Sequence, residues 1–108
     1  MSTLDDRTAA WLATPSLAGL SYRLTHPEVW PRRFEFDFGY SPCCGMGLAF
    51  RAWGVGRRPD AMSDWLDWVA RLFNITTGDA MSLFVFVPGS VTPRSLAAHI
   101  DAYLAAHP

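Results

Sequence analysis

The chain has 108 residues, half of them apolar and 18% charged, with a formal net charge of −1. That length supports one domain over residues 1–108 with a real core, and the composition is globular, not disordered. Near-neutral charge excludes a broad electrostatic footprint for nucleic acid or an anionic membrane, and the pairs Arg32-Arg33 and Arg57-Arg58 are too short to change that.

Taken in order, the first element is a short helix over residues 4–13, burying Leu4, Trp11 and Leu12 and stopping before Pro15. A second helix starts at Pro15, carries Leu17, Leu20 and Leu24 on one stripe and ends near His26. Residues 27–31 read as a proline-bracketed turn. Phe34, Phe36 and Phe38 then alternate with Glu35 and Asp37, the period of two of a half-buried strand. A lone strand leaves its backbone groups unpaired, so it needs a second strand from this chain or another copy.

A third helix follows Ser41-Pro42 and carries Leu48, Ala49, Ala52 and Trp53 before Gly54 and Gly56 end it. The fourth, from Asp60 or Ser63, keeps Met62, Trp65, Leu66, Val69, Leu72 and Phe73 at helical spacing, with Asn74 as a left-handed stop. Residues 75–87 fit two descriptions. Thr76 and Asp79 resemble a capping box that opens a helix reaching about Phe86, whereas Leu83-Phe84-Val85-Phe86-Val87 is strand-forming and could pair with residues 34–38. A last helix over residues 93–106 buries Leu96, Ile100, Tyr103 and Leu104. Three helix starts share one punctuation, a hydroxyl residue before proline: Thr14-Pro15, Ser41-Pro42 and Thr92-Pro93. The hydroxyl caps free N–H groups, and proline takes the first helical position, where its missing donor costs nothing.

The segment Met1-Ser2-Thr3-Leu4-Asp5-Asp6 has neither the basic nor the apolar region of a secretion signal, and no apolar run approaches the ~20 residues of a membrane span. A reducing, cytoplasmic location is the expectation.

Chemistry centres on Cys43 and Cys44, the only two thiols, at the expected start of the third helix. A helix N-terminus favours a thiolate. As neighbours they are poorly placed to form a disulfide with each other. A nucleophilic thiol needs a base, and His26 and His99 are the candidates, His107 lying next to the last residue. Zinc ligation by the two cysteines with His26 and His99 can be drawn, but the usual Cys-x-x-Cys spacing is absent. Asp5, Asp6, Glu35, Asp37, Asp60, Asp64 and Asp67 fall at helix starts or on polar faces, where they solvate the surface or oppose helix dipoles. Gly45-Met46-Gly47 lacks the context of a phosphate loop.

Five tryptophans make the chain aromatic-rich. On the fourth helix Trp65, Trp68 and Phe73, with Met62, Leu66, Val69 and Leu72, spread over more than one face. A helix apolar over so wide an arc is buried on two sides. The second cover is either another subunit or the remaining helices of this chain.

Cys43 or Cys44 with Gly45, then Gly54-Val55 and Pro59, loosely resembles NlpC-type cell-wall peptidases, whose catalytic cysteine opens a helix. The likeness stops at residues 43–59, and that family's histidine lies on a strand, whereas His99 falls within a helical pattern. A longer pattern is Phe34-Glu35-Phe36-Asp37-Phe38-Gly39, the turn Cys43-Cys44-Gly45-Met46-Gly47-Leu48-Ala49, and the ending Val91-Thr92-Pro93 with Ile100-Asp101-Ala102-Tyr103-Leu104. It resembles small uncharacterised bacterial proteins with an aromatic-acidic segment, a Cys-rich turn into a helix, and a closing Val-Thr-Pro helix. The resemblance implies a fold and no activity. Those proteins separate two cysteines around Gly-Thr, where this chain has them adjacent.

The sequence therefore predicts a mainly α domain of five or six short helices with one extended segment at residues 34–38. An α+β form, with residues 34–38 paired to 82–87, stays open. The expected function is non-enzymatic protein–protein contact or self-association, with Trp65, Trp68 and Phe73 as contact residues and a homo-oligomer or protein partner. The alternative is a thiol-dependent enzyme or redox protein using Cys43 or Cys44 with His99 or His26. Neither cofactor nor metal is expected, and neither nucleic acid nor membrane as partner.

Overall fold

The computed structural model of the chain describes residues 5–30, 44–86 and 92–107, with Cys44 described by its backbone alone. Among these residues all regular structure is helical: α1 (Asp6–Ala13), α2 (Leu17–Thr25), a 3-10 turn (Pro27–Val29), α3 (Cys44–Trp53), α4 (Met62–Phe73), α5 (Thr77–Phe84) and α6 (Pro93–Ala106). The expected extended segment at residues 34–38 lies outside the described residues, as do Ser41-Pro42 and Leu4.

Side-chain caps start most of the helices. Asp5, Ser16, Thr76 and Thr92 each accept a hydrogen bond from a backbone N–H one turn on, at Thr8, Gly19, Asp79 and Ser95. At α6 the box is reciprocal, since the Ser95 hydroxyl accepts from the Thr92 N–H, with Pro93 at the first position as expected. Thr14-Pro15 works differently. Thr14 ends α1 in an extended conformation, as a residue before proline must, and Ser16 caps α2 instead. Asn74 stops α4 in the left-handed region, at φ 56° and ψ 49°.

Residues 82–84 lie in α5, so the two-stranded alternative is excluded: Ala80, Leu83 and Phe84 at helical spacing are all fully buried, and that packing outweighs the strand propensity of the run. The helix also ends at Phe84, two residues short of expectation.

Helix neighbours close a ring. α2 packs along α6 over the longest contact, α6 touches α5, α5 touches α4, α4 touches α3, and α3 returns to α2. The middle is filled by Leu20, Leu24, Met46, Leu48, Trp65, Val69, Leu83, Phe84, Leu96 and Ile100, all essentially removed from water. Each such side chain contributes about 1.5–3 kcal/mol by burial. Ser21, the buried polar residue of this interior, donates to Asp101 Oδ1 at 2.6 Å and so pins α2 to α6.

Three expected core residues differ. Trp11 is 43% exposed, because on so short a helix only Leu12 faces inward, and its ring rests edge-on against Tyr22. Tyr103 and Leu104 are half-buried, lying on the last turns of α6 at the edge of the core. Among the described residues, no helix is long and apolar enough to cross a membrane.

Candidate functional site

Cys44 is the first residue of α3, and Cys43 lies outside the described residues. The turn that follows is pressed into the core. A Cβ on Gly45 would stand 2.5 Å from Leu96 Cδ2 and 3.2 Å from Phe84 Cδ1, so α3 begins in contact with α5 and α6. His99 lies one turn beyond Leu96 on α6, and its Nε2 donates to the Ser82 carbonyl at 2.9 Å. His26 caps the end of α2. Its ring stacks on Tyr22 at 3.8 Å, with Nδ1 2.7 Å from the Tyr22 carbonyl and 3.1 Å from Thr25 Oγ1. Both imidazoles thus spend one nitrogen on a backbone carbonyl, which fixes the ring and the tautomer. Among the described residues, no group of three or more His, Cys, Asp or Glu side chains is gathered where a metal could sit.

The three aromatic residues expected to make contacts lie along α4, between α3 and α5. Trp65 is 1% exposed, while Trp68 and Phe73 are half-buried against the core. Phe50 of α3 joins Trp65 and Trp68 at centroid distances of 5.8 and 5.3 Å. Trp65 and Trp68 meet edge to face at 6.0 Å. Phe73 stands edge-on to Trp53 at 5.9 Å and lies near-parallel to Phe84 at 6.4 Å. Trp65 is therefore covered from within the chain and presents almost nothing to a partner, while Trp68 and Phe73 stay partly exposed.

Among the described residues the exposed large apolar side chains are Trp11, Val55, Met81, Val85 and Phe86, the last three at the end of α5. Met81 and Val85 are a turn apart, and the Met81 carbonyl accepts hydrogen bonds from the N–H groups of both Val85 and Phe86, each at 2.9 Å. That shared acceptor closes the helix. All three are exposed, Phe86 to 68%. Sequence reasoning did not single them out, although five successive apolar residues at 83–87 cannot all face inward from a helix.

Charge is sparse around these features. Arg23, half-buried between α1, α2 and α3, is held below the usual guanidinium range by burial. Tyr103 is held above the usual phenol range by loss of solvent and by its hydrogen bond to Asp79. Comparison with protein-family models, curated proteins and solved structures finds no match.

Proposed function

We propose that this protein works by non-covalent contact between protein surfaces, and that its first partner is a second copy of itself. The observation that carries this reading is the exposed cluster of Met81, Val85 and Phe86 at the end of α5. Large apolar side chains scattered singly are ordinary, but three exposed within six residues at one helix end are more than that. A net charge of −1 sets almost no electrostatic barrier between copies. Three side chains make the centre of an interface, with a polar rim around it, so the association is weak and reversible. The cytoplasmic location expected from the sequence, and the bacterial origin that the resemblance implies, belong to the same reading.

Sedimentation velocity over a concentration series tests it. The native chain sediments faster as concentration rises, and Phe86→Asp, a change at an exposed position, returns it to a monomer with unaltered helicity. A chain that stays monomeric at every concentration, or a Phe86→Asp variant that associates equally well, would remove this reading.

A further inference from the structure

Of the four methionines, Met46, Met62 and Met81 fall among the described residues, and they meet water differently. Met46 is fully buried in the interior, and Met62 is half-buried against the core. Met81 is 38% exposed, and it is the methionine of the contact patch on α5. It stands one helical turn before Val85, on the same face of the helix. Its carbonyl takes the backbone N–H groups of both Val85 and Phe86. A thioether at this place is therefore open to a soluble oxidant, where that of Met46 is sealed.

We propose that Met81 is a peroxide-sensitive switch on self-association, an inference that rests on the contact reading above and adds its regulation. Hydrogen peroxide gives one oxygen to the Met81 sulfur: an S–O bond forms, the O–O bond breaks, the sulfur gives up two electrons, and the peroxide is reduced to water. The product, methionine sulfoxide, places a polar acceptor oxygen where an apolar thioether stood. The make-up of the patch makes that change costly. In a two-fold contact a patch meets its own copy, so the new oxygen faces methionine, valine and phenylalanine side chains, which have no donors. The Val85 and Phe86 N–H groups are already spent on the Met81 carbonyl. Buried there, the oxygen gives up its water and gains no partner. On the separated chain it stays hydrated, so oxidation penalises the associated state and spares the fold. Each two-fold contact holds two such sulfurs, which doubles the effect, and methionine sulfoxide reductases reverse it.

The test treats the native protein with hydrogen peroxide and then with dithiothreitol, which returns reversibly oxidised thiols at Cys43 and Cys44 and leaves the sulfoxide in place. Peptide mapping reads the oxidised sites, and sedimentation velocity reads association. Met81 is expected to oxidise ahead of Met46 with helicity unchanged, and the association constant to fall about tenfold for each oxidised chain in the contact. Methionine sulfoxide reductases restore it. In Met81→Leu, whatever the strength of its own association, peroxide has no effect. Association that survives complete oxidation of Met81, or an equal response in Met81→Leu, overturns the switch and leaves the contact reading standing. A native chain that stays monomeric at every concentration before any peroxide is added removes both.

Discussion

Arg23 and Trp53 converge on one backbone oxygen. The Trp53 indole N–H donates to the Leu12 carbonyl at 2.7 Å, the Arg23 guanidinium donates to the same carbonyl at 3.3 Å, and the guanidinium lies 5.1 Å from the centre of the Trp53 ring. A second arm of Arg23 donates to the Val29 carbonyl at 3.1 Å. Leu12 is in the last turn of α1, where carbonyls have no helical partner, so these two side chains fasten α1 to the ring of helices. Arg23→Ala should cost about 2–3 kcal/mol and Trp53→Phe about 1 kcal/mol, as urea denaturation would show. Arg23→Lys keeps the charge but loses the fork, and should fall between wild type and Arg23→Ala. Because the acceptor is shared, the double variant should cost less than the sum. Strict additivity would show that the two donors act separately.

The two glycines of α3 should respond to alanine with opposite sign. At Gly45 the new methyl would meet Leu96 Cδ2 at 2.5 Å, and Leu96 is fully buried, so it cannot swing away. Overpacking there should destabilise by about 1–3 kcal/mol. At Gly47 the methyl meets nothing within 4 Å among the described residues, so the helix gains about 0.5–1 kcal/mol. Thermal melts of the two single variants decide the matter. A destabilised Gly47→Ala would mean that the space beside α3 is filled.

Alkaline stability should depend on Tyr103. Its hydroxyl donates to Asp79 Oδ2 at 3.0 Å, joining the end of α6 to the start of α5. Loss of solvent, the hydrogen bond and the negative charge of Asp79 hold the phenol above its ordinary value of 10.0. A folded-state value above the unfolded one means that the contribution is complete below the unfolded value. It is lost as pH rises through the folded value. Urea midpoints should therefore decline above about pH 10 in the native protein and decline less in Tyr103→Phe. Parallel curves for the two would show that the bond does not contribute.

Thiol reactivity should be independent of both histidines. His26 and His99 are each held by a backbone carbonyl, on the end of α2 and against α5 respectively. His26→Gln and His99→Gln should leave the rate and pH dependence of iodoacetamide labelling of Cys43 and Cys44 unchanged. Fast labelling that one histidine variant abolishes would promote the thiol-dependent alternative and name its base.

Much of the fold was legible because local chemistry and packing agreed. Thr92-Pro93 reads as a helix start and is one, and Asn74 reads as a stop and is one. Thr14-Pro15 misled because the threonine is already used to end α1, a competition that single-residue preferences do not register. In residues 83–86, strand propensity and helical spacing pointed opposite ways, and the burial of Ala80, Leu83 and Phe84 decided it. The candidate surface was harder to see. Apolar width on α4 gives the same sequence pattern whether the cover is α3 and α5 or another subunit. Only the placement of Val85 and Phe86 past the last turn of α5 shows which apolar residues are left outside.

The most direct test of the central claim is an isotope-filtered NOE experiment on a mixture of labelled and unlabelled chains at high concentration. It records contacts that cross from one copy to another. Self-association through α5 predicts intermolecular signals from the Met81 and Val85 methyl groups and the Phe86 ring, lost in Phe86→Asp. Intermolecular signals confined to other helices, or none at all, would contradict it.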